Sequence, residues 1–134
     1  MIRYPVKVGE NEVKAAGIAL PISTKNSIIV CRKINGMPTE KAKKFLRDMI
    51  EGKRHINRKH YTKTCKEILK VLESAENNAK NKGFEKTVIR TISAEKGVTR
   101  FRMKRRRSFG IEMKSTNIKI VLRAVEEGKN ESKN

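Results

Sequence analysis

Apolar residues recur with a helical period over two segments in the first half of the chain. Between Ala42 and Ile50 they fall at positions i, i+3, i+4, i+7 and i+8, which is typical of an amphipathic helix with one buried face. Pro38 suits the first helical position, so we predict that this helix begins there and ends at Gly52. The same period predicts a longer helix from about Thr62 to Lys82. Its buried face would consist of Cys65, Ile68, Leu69, Leu72, Ala75 and Ala79.

A shorter helix is predicted before these two. Ser23 is a good N-cap, and an apolar stripe formed by Ile28, Cys31 and Ile34 carries the helix to about Asn35. The preceding segment, Val13 to Leu20, is predicted to be a short strand that Gly17 weakens.

After Gly83 the apolar period changes from 3.6 to 2. Alternation in Val88 to Ala94, and more regularly in Ile118 to Ala124, predicts two half-buried strands. The simplest geometry pairs these strands over the helices and lets the residues between them continue outward as a two-stranded ribbon. With about ten residues per arm at about 3.3 Å each, the ribbon would project roughly 30 Å.

The length and composition are those of one small domain. The chain has 134 residues, 37% of them hydrophobic and only 4% aromatic, so aliphatic side chains must fill the core. We predict a single α+β domain over residues 1–125, with an extended basic hairpin at about 95–117, and a disordered polar tail at 126–134. No apolar run approaches the length of a membrane span, and no secretory signal is visible at the N-terminus.

The charge balance indicates a polyanionic partner. Lys and Arg number 33 against 14 Asp and Glu, a formal net charge of +19. Such an imbalance opposes the compact state unless a polyanion neutralises it, and nucleic acid is the obvious one. From Lys96 to Arg123 there are ten basic residues and one acid, Glu112, so about half of the excess charge lies in about a fifth of the chain.

Within this basic segment, apolar residues keep a strand-like rhythm and arginine outnumbers lysine. The guanidinium fork suits phosphate contact and base stacking, which favours RNA binding over a solvated, mobile loop, the plainer interpretation. The predicted contacts here are Lys96, Arg100, Arg102, Lys104, Arg105, Arg106, Arg107 and Lys114.

The loop at 53–61 is a second basic patch. Its predicted contacts are Lys53, Arg54, His55, Arg58, Lys59 and His60, with Tyr61 available to stack, and Lys25 and Arg32 of the first helix complete the expected RNA-binding set. His55, His60 and Cys65 share a five-residue spacing, but it matches no standard zinc pattern. We therefore expect no metal site. No other cofactor, small-molecule substrate or membrane is expected as a partner either.

Two other classes of function remain open on the residues alone. An architectural DNA-binding protein with β-ribbon arms would usually insert an apolar wedge at the tip, and only Phe109 offers one. A small basic ribonuclease would use His55 and His60 as its acid–base pair, with Tyr61 beside them, yet no carboxylate lies in that loop to orient either ring. We expect no catalytic residues.

Three stretches resemble a known family. They are ISTKNSIIVCRKINGMPTEKAKKFLRDMI at Ile22 to Ile50, ILKVLESAENNAKNKGF at Ile68 to Phe84, and the basic ribbon followed by NIKIVL at Asn117 to Leu122. Together they resemble the large-subunit ribosomal protein family numbered twenty-two in bacteria and seventeen in eukaryotes, in its archaeal-type form. The resemblance covers about residues 13–125.

The resemblance implies a three-stranded antiparallel sheet packed with three helices and bearing a long protruding β-hairpin. It also implies a cytoplasmic structural protein of the large ribosomal subunit that binds rRNA and neighbouring ribosomal proteins and aids assembly. The hairpin would line the nascent-peptide exit tunnel. By the resemblance, the tunnel-facing tip would consist of Lys104, Arg105, Arg106, Arg107, Ser108 and Phe109. This chain departs from the family in its KRRRSFG tip and in a short loop between the second and third helices.

Overall fold

A computed structural model describes residues 2–103 and 107–125. It contains three helices, α1 (Thr24–Ile34), α2 (Thr39–Ile50) and α3 (Thr62–Asn81). The strands are β1 (Glu12–Leu20), β2 (Thr87–Lys96), β3 (Arg100–Phe101), β4 (Glu112–Met113) and β5 (Thr116–Ala124). In the part of the chain described, no helix is both long and apolar enough to cross a membrane.

Three of the strands form an antiparallel sheet in the order β1-β5-β2. Helix α3 packs on β1 and β5, α1 packs on β2, and α2 packs on α3. Ile118, Ile120 and Leu122 alternate along the central strand and are fully buried against the helices. The predicted α+β class, three-stranded sheet and three helices are therefore confirmed.

The helix faces follow the predicted period, with local corrections. Leu69, predicted to lie on the buried face of α3, is only partly buried, whereas Val71 is buried. Ile28, predicted to line the buried stripe of α1, is only half-buried, whereas Val30 and Ser27 are fully buried, because the helix is rotated slightly toward them. Pro38 is not the first helical residue. Its ψ of 142° is extended, so it occupies the N-cap position and α2 begins at Thr39.

Gly17 is required where β1 crosses α3. A Cβ at this position would lie 2.6 Å from Val71 Cγ2 and 2.9 Å from Leu20 Cδ1. The glycine that weakens the strand locally therefore allows the helix to approach the sheet, and the pairing of β1 with β5 shifts register immediately after it.

The segment before β1 lies across part of the sheet that the helices leave free. Lys14 Nζ sits 5.3 Å from the centre of the Tyr4 ring, and the Arg90 guanidinium donates to the Lys7 carbonyl oxygen at 3.3 Å. Arg90 reaches this segment because it is the bulged residue of β2, where the pairing with β5 shifts between Ile89 and Thr91. The irregular N-terminal segment is thus anchored to the sheet.

The predicted ribbon leaves the sheet where β2 and β5 continue beyond the core. Their ladder ends at the pair Lys96–Thr116, and a second ladder begins at Arg100–Met113. Three residues on the first arm, 97–99, oppose two on the return arm, 114–115, so a one-residue bulge separates the two ladders. Beyond β3 and β4, the Arg102 amide donates to Ile111 O at 3.0 Å, and residues 107–110 form a turn.

Candidate nucleic-acid interface

The described cations of the hairpin are all exposed. Arg100 and Arg102 lie on the first arm, Arg107 lies in the turn, and Lys114 lies on the return arm. The hairpin extends beyond the helices, so the side chains of these cations have no hydrophobic core in which they could be buried. This is the geometry that phosphate contact requires, because long cationic side chains can then reach a partner from either side of the ribbon.

Glu112, the one acid between Lys96 and Arg123, neutralises one of the described cations of the hairpin. Glu112 Oε2 lies 3.4 Å from Lys96 Nζ, and both side chains are more than half exposed. Since Glu112 stands directly opposite Phe101 in the ladder, it lies on the face away from Arg100 and Arg102. These two arginines therefore keep their charge for an external anion.

A cleft at the base of the hairpin brings three predicted site lysines together. Lys25, Lys96 and Lys114 line it together with Glu112 and the amino end of α1. Because Glu112 pairs with Lys96, the net positive field of the cleft comes from Lys25, Lys114 and the positive end of the helix dipole, and this field favours a phosphate. Lys25 is more than seventy residues away from the other two in the sequence, and the fold joins them.

The loop at 53–60 has a defined shape. Ile56 and Lys59 exchange two backbone hydrogen bonds of 2.9 Å, and Asn57 and Arg58 between them have positive φ, which is typical of a two-residue hairpin turn. The turn points Arg58 and Lys59 into solvent. Lys53 is also exposed, and its hydrogen bond to Glu51 raises its pKa above the ordinary value, so it is cationic at neutral pH.

Arg54 and Tyr61 are held by the core side of this loop. The Arg54 guanidinium lies 5.8 Å from the centre of the Phe45 ring and 3.3 Å from Asp48. Tyr61, predicted to be available for stacking, is half-buried and packs on the core. Both residues therefore fix the base of the loop, while His55, Arg58, Lys59 and His60 stay exposed.

The two histidines adopt no arrangement that favours metal binding. His60 Nδ1 donates to the Arg54 carbonyl oxygen at 2.8 Å, and the His55 and His60 rings meet edge to face at 6.4 Å between centres. Cys65 is fully buried, and burial raises its pKa to about 11, so its thiol is protonated. Among residues 2–103 and 107–125, no group of three or more His, Cys, Asp or Glu could hold a metal ion.

The remaining predicted residues divide between the helix and the tip. Arg32 is exposed in the last turn of α1, away from the cleft that Lys25 lines. At the tip, Phe109 is exposed and Ser108 is half-buried. Lys104, Arg105 and Arg106 lie outside the residues that the structure describes.

Sequence reasoning missed the exposure of the apolar residues in the hairpin. They were interpreted only as the rhythm of a strand, whereas every one of them faces solvent. The set is Val98, Phe101, Met103, Phe109, Ile111 and Met113. Their exposure could have been predicted from their place in the ribbon, because the part of a ribbon that extends beyond the helices has nothing to pack against.

The chain is similar to proteins of known identity. Residues 15–123 match the sequence model of the family described as ribosomal protein L22p/L17e. The large ribosomal subunit protein uL22 of Methanocaldococcus jannaschii is 35% identical over 120 residues, covering 73% of this chain and 77% of that protein. The uL22 protein of Methanosphaera stadtmanae is 35% identical over 144 residues, and the match covers 89% of this chain and 93% of that protein.

A third relative, the uL22 protein of Archaeoglobus fulgidus, is 37% identical over 112 residues, covering 66% of this chain and 72% of that protein. The alignment to the Methanosphaera protein spans 144 positions and exceeds the 134 residues of this chain, so that relative carries residues that are missing here. The fold, the basic hairpin and the extent of these matches all point to the same family. The chain belongs to the ribosomal protein L22p/L17e family, in its archaeal type.

Proposed function

We propose that this protein is a structural constituent of the large ribosomal subunit in the cytoplasm, where it binds rRNA and helps the subunit to assemble. The observation that carries the proposal is that the described cations of the hairpin are exposed, while Glu112, the one acid between Lys96 and Arg123, is paired with Lys96. The matched family consists of ribosomal proteins, and the similar proteins are named as large-subunit proteins, so the large subunit is the assembly to which this chain would belong. The proposal assigns no catalysis to the chain.

Electrostatics explains why such a protein needs its partner. The cations gathered on one narrow ribbon repel one another, although the paired residues are not like-charged, since Arg100 stands opposite Met113 and Phe101 opposite Glu112. An isolated ribbon is also only marginally stable in water. Phosphates bound by the arginines would offset both effects. The lysine cleft at the hairpin base and the loop at 53–60 add two further contact regions, so the chain would contact RNA at several separate places.

The finer part of the proposal concerns the tip. We infer that residues 104–109 line the nascent-peptide exit tunnel, in contact with the growing chain, and that neighbouring ribosomal proteins contact the core. Support comes from the family resemblance and from the exposed turn at 107–110, which carries Arg107 and Phe109 away from the core.

Sedimentation of a tagged chain tests the proposal. In extract fractionated on a sucrose gradient, the protein should sediment with the large subunit and stay there when low magnesium separates the subunits. Arg100→Ala with Arg102→Ala should reduce incorporation, whereas Lys63→Ala with Lys66→Ala, which removes equal charge from the exposed side of α3, should not. Sedimentation with chromosomal DNA, or only as free protein, would contradict the proposal.

A further inference from the structure

The outer hairpin, residues 98–113 beyond the bulge, exposes an unusual amount of apolar surface in its described part. The side chain of Met103 is 89% exposed, that of Phe109 67% and that of Phe101 58%. Val98, Ile111 and Met113 are exposed to a similar degree, so six of the eight large exposed hydrophobic residues in the described part of the chain lie here. Leaving such groups in water costs free energy, and a concentration of them marks a binding surface.

The register of the ladder places these apolar groups beside the arginines. Arg100 pairs with Met113, and the Arg102 amide donates to the Ile111 carbonyl. Residues directly opposite in an antiparallel pair share a face, so each of these arginines stands next to an apolar side chain. Phe101 alternates to the other face, and both faces of the ladder are exposed.

This mixture discriminates between forms of RNA. A duplex presents phosphates and hydroxyl groups on its surface, while its bases are stacked and paired, so apolar side chains gain little from it. Unpaired nucleotides offer base faces to aromatic and aliphatic side chains and phosphates to arginines at the same time. A second copy of the hairpin would cover the apolar groups, but it would bring two strongly cationic arms together.

We propose that the outer hairpin binds unpaired RNA, with Phe101 stacking on a splayed base while Arg100 and Arg102 hold the adjoining phosphates. The inference rests on the proposed rRNA-binding function and specifies the form of RNA that the arm recognises. Pairing with Glu112 holds the backbone of Phe101 in the ladder, and its ring is exposed on the face opposite to Arg100 and Arg102. A single strand would therefore pass around the edge of the ribbon, with a base on the Phe101 ring and its phosphates within reach of the long arginine side chains.

The chain contains no tryptophan, which gives a direct probe of this contact. Phe101→Trp introduces a single indole whose fluorescence is quenched when a base stacks on it. We expect strong quenching by an unstructured single-stranded RNA and little change with an RNA duplex of equal phosphate number. Equal quenching by both RNAs, or by neither, overturns the inference.

Affinity measurements provide the matched controls. Phe101→Ala should weaken binding to the single strand roughly tenfold and leave duplex binding nearly unchanged, given the usual strength of base–aromatic stacking. Ile18→Ala removes an exposed apolar residue from β1 and should alter neither. An equal loss for both RNAs, or a wild-type dimer that Phe101→Ala dissociates, would overturn the inference.

The two proposals fail in different ways. If the wild-type chain binds both RNAs with a steep salt dependence while the indole of the Phe101→Trp variant stays unquenched, the stacking inference fails and rRNA binding stands. If the wild-type chain neither binds RNA nor sediments with the large subunit, the proposed function itself fails.

Discussion

Gly97 donates its amide to the carbonyl oxygen of Ser115 at 2.9 Å, and the two backbones pass so closely that a Cβ at position 97 would overlap the Ser115 hydroxyl oxygen. The carbonyl carbon of Ser115 would lie 3.2 Å from the same Cβ. This contact lies at the bulge between the core sheet and the outer ladder. The absence of a side chain at position 97 is therefore what allows the two arms to leave the sheet together.

Gly97→Ala should destabilise the protein by roughly 1–3 kcal/mol, as overpacking in a tight contact usually does. Thermal or denaturant unfolding measures the loss. In a Ser115→Ala background the cost should be smaller, since one of the clashing atoms is gone, and a double-mutant cycle isolates that share. Gly9→Ala, where the new Cβ would be 3.8 Å from its nearest neighbour, serves as the control. A Gly97→Ala protein as stable as wild type would show that the arms do not cross this closely.

The stability of the protein should decrease in acid partly through Glu12. Its pKa lies below the ordinary value of 4.5 because the Gly9 amide and then the Arg90 guanidinium donate to the carboxylate, against a burial that raises the pKa. A lowered folded-state pKa means that this contribution is complete above about 4.5 and is lost as the pH falls through the folded-state value.

Glu12→Gln should therefore lower the free energy of unfolding at neutral pH and weaken its dependence on pH below about 4.5. Glu10→Gln, at an exposed neighbouring position, should leave the pH profile unchanged. Thermal melts between about pH 3 and pH 7 make the comparison. Identical profiles for the two variants would contradict the role assigned to the Glu12–Arg90 pair.

Two core substitutions test the helix faces. Leu72 is fully buried in α3, and Phe45 is nearly so in α2, so Leu72→Ala and Phe45→Ala should each cost roughly 2–5 kcal/mol through lost burial and a residual cavity. Lys66→Ala on the exposed side of α3 should be nearly neutral. Denaturant unfolding of the free protein provides the measurement, and a wild-type midpoint for either core variant would contradict the packing.

Binding to large-subunit rRNA should be steeply salt-dependent. Several neutralised phosphates imply a loss of orders of magnitude in affinity between about 50 and 200 mM salt. Arg100→Ala with Arg102→Ala should reduce the slope of log affinity against log salt by roughly one to two, because each arginine contacts about one phosphate. Lys63→Ala with Lys66→Ala should leave the slope nearly unchanged. An affinity independent of salt would contradict the electrostatic account.

The helices and central strands could be predicted because their apolar periods repeat over many residues. Leu46 and Leu72 fall in the middle of long amphipathic stripes, and both are fully buried. The first helix was predicted less accurately, because Val30 and Ile28 are equally apolar and only the packing against β2 selects between them. A short stripe leaves the rotation of a helix undetermined.

Contacts between distant segments could not be predicted. Arg90 and Glu12 are 78 residues apart in the sequence, and only the bulge in β2 turns the guanidinium toward the carboxylate. In the candidate interface, the exposed cations were evident from composition. The proximity of Lys25 to Lys96, and the pairing of Arg100 with Met113, depend on tertiary packing and on register, which no local pattern specifies.

Hydrogen exchange tests the central claim, which is that the basic hairpin becomes ordered when it binds rRNA. In the free protein the amides of Ile92 and Ile120, deep in the sheet, should be protected, while those of Arg102 and Ile111 should exchange within seconds, because a ladder of only two residue pairs with both faces exposed is marginal.

In the assembled large subunit the hairpin amides should become protected as well. If they are already strongly protected in the free protein, or still exchange within seconds in the subunit, the hairpin is not an element that RNA orders and the account is wrong.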